Sequence, residues 1–145
     1  MKLDNLFKQA RVVAENSHDT ETQVGSLLIH SNTGAILSSG YNGFIRGCND
    51  NALPTTRPDK HFYIIHSEIN LLLNSARHGI ATEGCFVVCT MSPCKSCLRA
   101  LWQSGISTIY FQDKYRDFDH QISMKDLQIN LQKVGKYYRI DLEAK

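Results

Sequence analysis

Apolar positions in the opening stretch fall at Leu3, Leu6, Phe7, Ala10, Val13 and Ala14, three or four apart. That spacing predicts a first helix running to about Asn16, ended by the turn-forming Ser17-His18-Asp19-Thr20. Val24 to Ile29 then reads as a buried strand, and Ala35-Ile36-Leu37 begins its partner, with Asn32-Thr33-Gly34 as the turn of a hairpin. From Tyr41 to about His61 the period is lost and Gly, Asn, Asp and Pro dominate. So long a loop inside a compact domain is uncommon and usually functional. A second helix is expected from about His66 to Arg77, with Ile69, Leu72, Leu73 and Ala76 on its apolar face and Gly79 as its stop. Cys85 to Thr90 is an apolar, β-branched strand. Pro93 opens a helix that carries Cys94, Cys97, Leu98, Leu101 and Trp102 and ends near Gly105. Ile106 to Phe111 is the next strand, Ile122 to Val134 an amphipathic helix, and Lys136 to Leu142 a last strand.

The N-terminal hairpin is antiparallel by construction, whereas strand–helix–strand alternation after Cys85 argues for crossovers and parallel pairing. The expectation is a single α/β domain over residues 1–145, a three-layer α/β/α sandwich around a mixed five-stranded sheet.

Composition narrows the partners. A hydrophobic content of 42% with 21% charged residues is ordinary for a globular protein. The net charge of +2, with no run of Lys or Arg longer than a pair, gives no reason to expect nucleic acid. No apolar stretch approaches the roughly 20 residues needed to cross a bilayer. The opening Met1-Lys2-Leu3-Asp4-Asn5-Leu6-Phe7 lacks a signal peptide's apolar centre, so a cytoplasmic location is expected. In a reducing compartment, five cysteines serve metal binding or packing rather than disulfides.

Against that background one constellation carries chemistry: His66-Ser67-Glu68, then Pro93-Cys94-Lys95-Ser96-Cys97. H-x-E followed by P-C-x-x-C is the signature of zinc-dependent nucleobase deaminases. His66, Cys94 and Cys97 are three zinc ligands with no fourth in the same pattern, as a catalytic site with an open position requires. Both cysteines open a helix one turn apart, where unpaired backbone N–H groups lower the cost of two thiolates. Glu68, two residues from His66, is placed to move protons without ligating, a role typically worth about 10² to 10⁴ in rate. Taken singly, C-x-x-C reads equally as a redox pair or part of a structural zinc knot, and H-x-E as surface chemistry. Cys85 and Cys89, in the apolar strand, read as buried thiols. Cys48, His61, His18 and His30 give no preferred geometry for a second metal site.

The chain resembles the deoxycytidylate (dCMP) deaminases over most of its length. The resemblance lies in Thr22-Gln23-Val24-Gly25-Ser26, Gly40-Tyr41-Asn42-Gly43-Phe44, Gly47-Cys48-Asn49-Asp50, His66-Ser67-Glu68-Ile69-Asn70 and Asp113-Lys114-Tyr115-Arg116-Asp117. Ile45 stands where many members have proline, and Ser67 where alanine is usual. The resemblance implies a cytidine deaminase-like fold, one catalytic Zn2+ per subunit, and conversion of dCMP to dUMP and ammonia, supplying thymidylate synthesis. It implies that Asn42 and Tyr115 hold the sugar or phosphate and that Ser67 and Pro93 offer backbone contacts to the base. It further implies a regulatory site answering to dCTP and dTTP, with Mg2+ accompanying the nucleotide. Its candidates are Tyr41, Gly43, Asn49, Asp50 and Arg77, and the assembly implied is a homo-oligomer, with a hexamer favoured. Two rivals stand beside this reading: a deaminase acting on a base in RNA or DNA, and a non-catalytic zinc-binding module.

Overall fold

The computed structural model describes residues 2–115, 118 and 129–142. Helix α1 spans Leu3–Ala14, and strands β1 (Gly25–His30) and β2 (Ile36–Tyr41) form the N-terminal hairpin. Two short 3-10 turns, Asp50–Ala52 and Asp59–Phe62, punctuate the long loop. They precede helix α2 (Ser67–Arg77), strand β3 (Cys85–Met91), helix α3 (Lys95–Gln103) and strand β4 (Thr108–Asp113). Strands β5 (Ile129–Val134) and β6 (Tyr137–Leu142) close the described chain.

The six strands make one sheet in the order β2-β1-β3-β4-β6-β5. Among the described residues only β3 and β4 pair in parallel, joined across α3; β6 runs antiparallel to β4. Alternation along the strands separates two apolar faces. Leu27, Ile29, Val88, Tyr110 and Tyr137 pack with Phe7 and Ala10 of α1. Leu28, Val87, Cys89, Ile109, Phe111 and Ile140 pack with Leu71 of α2 and with Leu98 and Leu101 of α3. The layers are therefore α1, sheet, and α2 with α3, the α/β/α sandwich expected from sequence.

Two expectations are corrected. Among the described residues the sheet has six strands, not five, because Ile129–Val134 is a strand and not the end of a helix. Residues 119–128 lie outside the described residues, so the rest of that expected helix is not described. Ile129 and Leu131 alternate with polar neighbours, and Gly135, at φ +61°, lets the chain reverse so that Val134 pairs with Tyr137. The crossover expected between the last two strands is consequently absent on that side, and parallel pairing stops at β4. No helix among the described residues is long and apolar enough to cross a membrane.

Candidate active site

The site forms where the starts of α2 and α3 meet at the carboxyl end of β3. His66 is the N-cap of α2 and Cys94 the N-cap of α3, both with extended backbone (ψ 152° and 169°). Pro93 is buried and lies one residue before that cap, so it precedes α3 and does not form its first turn. An N-cap side chain normally folds back over its own helix, yet His66 makes no such bond. Its imidazole faces α3 instead: Nδ1 lies 3.5 Å from Cys94 Sγ and 3.3 Å from Cys97 Sγ. One donor atom from each of the three residues falls within 4.8 Å of the others. No other such cluster of metal-ligating groups occurs among the described residues.

Local packing explains why α2 begins at this point. A Cβ on Gly40 of β2 would lie 2.4 Å from the Ser67 carbonyl oxygen and 2.5 Å from the Leu71 nitrogen, so only glycine admits so close a helix. Asn70 Nδ2 donates to the Tyr41 carbonyl and Asn74 Nδ2 to the Ser39 carbonyl, each at 2.8 Å. The Ser67 hydroxyl is buried against the Gly40 carbonyl at 2.9 Å and Ser26 Oγ at 2.8 Å. Upstream, Gly43 and Ile65 form a two-bond bridge that fixes the approach to His66.

Glu68, 4% exposed, sits in the first turn of α2 beneath His66. Burial holds its carboxyl above the ordinary value, opposed by a hydrogen bond from the Cys89 thiol, whose Sγ lies 2.9 Å from Oε1. Burial and the facing carboxylate keep Cys89 well above the usual thiol range, so it carries its proton. Cys94 moves the other way: hydrogen bonds from Cys97 and His66, outweighing burial, pull it down to about 4. Cys97 is pushed up, first by its hydrogen bond to Cys94 and then by burial, and His66 is raised by its hydrogen bond with Cys94. One ready thiolate beside a second sulfur and an imidazole is a donor set that suits zinc, with no fourth protein ligand among the described residues.

A cavity of about 320 Å³ opens over these groups. Asn42, Ser67 and Tyr115 line it, as do His66, Glu68 and Cys94, whereas Pro93 does not. Asn42 is anchored by its own fold: Oδ1 accepts from Val24 N at 2.8 Å, and Nδ2 donates to the Thr22 carbonyl at 2.8 Å and Asp19 Oδ2 at 3.4 Å. One acceptor lone pair on Oδ1 remains for a ligand hydroxyl. Tyr115 is steered by its N–H, which donates to Ser92 Oγ at 2.8 Å; Arg116 and Asp117 of the same segment lie outside the described residues.

Three further residues of the long loop, none of them expected at the substrate site, also line the cavity: Arg57, Lys60 and His61. Lys60 is buried in an ion pair with Asp19 at 2.8 Å and reaches Glu21 at 3.4 Å. Arg57 Nη2 donates to Thr22 Oγ1 at 3.1 Å and Tyr115 Oη at 3.5 Å, while its Nε is buried without a hydrogen-bond partner. The signal available in the sequence was the loop's length, but nothing in its composition singled out these positions.

The remaining candidates gather elsewhere. Tyr41, Gly43, Asp50 and Arg77 line a second cavity of about 770 Å³, together with His18, Cys48 and Asn74. His18 Nε2 meets Asp50 Oδ2 at 3.2 Å. Asn49 is not part of that lining: its side chain accepts from Asn51 N at 3.1 Å and caps the first 3-10 turn.

Comparison with known proteins follows the same line. Residues 1–113 match the profile of the cytidine and deoxycytidylate deaminase zinc-binding region. The chain is 36% identical over 126 residues to a probable deoxycytidylate deaminase of Drosophila melanogaster, covering 79% of this chain and 61% of that one. It is 34% identical over 113 residues to the deoxycytidylate deaminase of Homo sapiens, covering 73% and 62%. The dCMP deaminase of cyanophage S-TIM5, solved in complex with dCMP and dUMP, aligns with a TM-score of 0.67 at 26% identity, covering 80% of this chain and 84% of that one. The chain thus spans about six-tenths of the length of the curated relatives it matches.

Proposed function

The chain belongs to the cytidine and deoxycytidylate deaminase family, and from that premise we propose that it converts dCMP and water to dUMP and ammonia. The observation that carries this reading is a single cavity lined by His66, Cys94 and a buried Glu68 together with Arg57 and His61. The first group suits hydrolysis at a base and the second suits a phosphate.

His66, Cys94 and Cys97 would hold a zinc ion here. Bound there, zinc supplies the Lewis acidity that makes water a nucleophile near neutral pH. Glu68 takes one proton from the water that attacks C4 of cytosine and delivers it to N3, then takes the second from the hydroxyl so formed at C4 and passes it to the amine as the C4–N bond breaks and the C4 carbonyl forms. Its burial keeps bulk water from competing for that proton, and pre-positioned transfer of this kind is worth about 10² to 10⁴ in rate. Asn42 Oδ1 receives a sugar hydroxyl and Tyr115 packs at the sugar–phosphate end. Ser67 meets the base through its backbone, since its hydroxyl is engaged with Gly40 and Ser26. Arg57, which lines the cavity, meets the phosphate. Control by dCTP and dTTP at the second cavity, with Mg2+ carried by the triphosphate, belongs to the same reading, as do assembly into hexamers and residence in a reducing cytoplasm.

Ammonia release from dCMP, deoxycytidine and dCTP by zinc-loaded protein, with and without dCTP as effector, tests it. The expected result is turnover of dCMP well above deoxycytidine, lost in Glu68→Gln with zinc content unchanged. Full activity in Glu68→Gln would overturn the mechanism, and silence on all three nucleotides would overturn the substrate.

A further inference from the structure

Cys89 looks like a packing residue in the sequence, and the reaction as described gives it no part. We infer that Cys89 is a positioning residue whose thiol clamps one carboxylate oxygen of Glu68 and so aims the other at the reacting atoms. The inference rests on the deaminase reading of the site and extends it.

Two features carry it. The first is the contact: Cys89 Sγ is fully buried and lies 2.9 Å from Glu68 Oε1, well inside ordinary sulfur–oxygen separation. A glutamate's terminal torsion is broad and roughly two-fold, so an unheld carboxylate in a cavity wall samples many orientations. A donor on one oxygen removes that freedom before substrate arrives, which is the essence of a preorganised catalytic group.

The second is the register of the sheet. Cys89 pairs directly with Ser26 across β1 and β3, so both side chains leave the same face at the same level. Ser26 Oγ contacts Ser67 Oγ at 2.8 Å and the Ser67 carbonyl at 3.2 Å, while Cys89 grips Glu68. One cross-strand pair thus holds two consecutive residues in the first turn of α2. On a face otherwise given to Leu28, Val87, Ile109 and Phe111, this polar row is set under the residues that line the cavity. A thiol suits the place because it packs like a small apolar side chain yet keeps a weak donor.

The test compares Cys89→Val, Cys89→Ala and Cys89→Ser in the full zinc-loaded chain. Loss of the donor in Cys89→Val is expected to lower kcat for dCMP about tenfold with KM within about twofold, as for an interaction felt in the transition state. Cys89→Ser, which restores a donor, is expected to recover most of that loss although it packs less well. If Cys89→Val keeps wild-type kcat, or if kcat follows thermal stability across the three variants, the residue only packs and the inference is overturned. An infrared measurement decides the contact without any turnover. The S–H stretch that disappears in Cys89→Val should lie at the lowered frequency of a hydrogen-bonded thiol, and should rise in Glu68→Ala. A band that stays put in Glu68→Ala overturns the inference. A wild-type protein that releases no ammonia from dCMP overturns the substrate reading instead, and the infrared band then decides the clamp on its own.

Discussion

Replacing Lys60 by methionine should strand a buried carboxylate. Lys60 Nζ lies 2.8 Å from Asp19 Oδ2, and the two side chains keep only 3% and 2% of their exposure. With the ammonium gone, Asp19 retains backbone N–H donors from Glu21 and Thr22 at 2.7 and 2.9 Å and a long contact with Asn42 at 3.4 Å. None of these is a charge. Breaking a buried pair by removing one partner costs about 3–5 kcal/mol, against a total stability of roughly 5–15 kcal/mol for a domain. Urea denaturation should therefore show a lower midpoint with an unchanged slope. The double variant Asp19→Asn/Lys60→Met, which removes the orphaned charge as well, should recover a substantial part of the loss. The effect of pH supplies a second check. Burial pushes the Asp19 carboxyl up, but the Lys60 hydrogen bond and the Thr22 and Glu21 N–H groups outweigh it and hold it below 3.8. A folded-state value below the unfolded one stabilises fully at neutral pH, and that stabilisation drains away as pH falls through the folded-state value. Without the Lys60 contribution burial leaves Asp19 easier to protonate in the folded variant, so the gap from wild type should narrow as pH falls from neutral into the carboxylate range. A loss under about 1 kcal/mol at neutral pH, of the size seen for exposed pairs, would refute the argument.

Other outcomes follow from the same geometry. Gly40→Ala should destabilise by about 1–3 kcal/mol, as overpacking does, and depress activity because the new Cβ meets the backbone of α2 at 2.4 Å; calorimetry and turnover together check this. Arg57→Ala should raise KM for dCMP by about tenfold, the cost of losing a charge-assisted phosphate contact, while leaving deoxycytidine unaffected in the same assay. Chelation should abolish ammonia release, and added zinc should restore it to the metal-free chain; activity that survives complete zinc removal, measured by atomic absorption, would contradict the role given to His66, Cys94 and Cys97.

Much of the layer architecture is legible in the chain because each helix and most strands carry a single dominant period. Leu27 and Ile29 against Leu28, and Val88 against Val87 and Cys89, alternate as a sheet buried on both faces demands. The segment at Ile129–Val134 is ambiguous in sequence because Leu127, Leu131 and Val134 fit a helical spacing while Ile129 and Leu131 fit a strand. Gly135 between two alternating runs was the discriminating signal. Within the site, His66, Glu68, Cys94 and Cys97 announce themselves by spacing. Cys89 and Lys60 could not, because their partners, Glu68 and Asp19, lie 21 and 41 positions away and meet them only through the pairing of strands and the path of a loop.

The placement of β6 between β4 and β5 also bears on how the chain is made. Every described residue lining either cavity lies at or before Tyr115. Tyr138, which stacks on Phe111 at 5.0 Å, and Tyr137, which stacks on Phe7 at 4.0 Å, are synthesised later. At roughly 5–20 residues per second, the ribosome takes a few seconds to add the hairpin after β4 is complete. During that interval every described residue lining either cavity has been synthesised while β4, carrying Ile109 and Phe111, still lacks its β6 partner. A stop codon just after Tyr115 is expected to release a product that contains each of those groups but presents β4 without its β6 partner, so β6 guards that edge against association as well as packing on it.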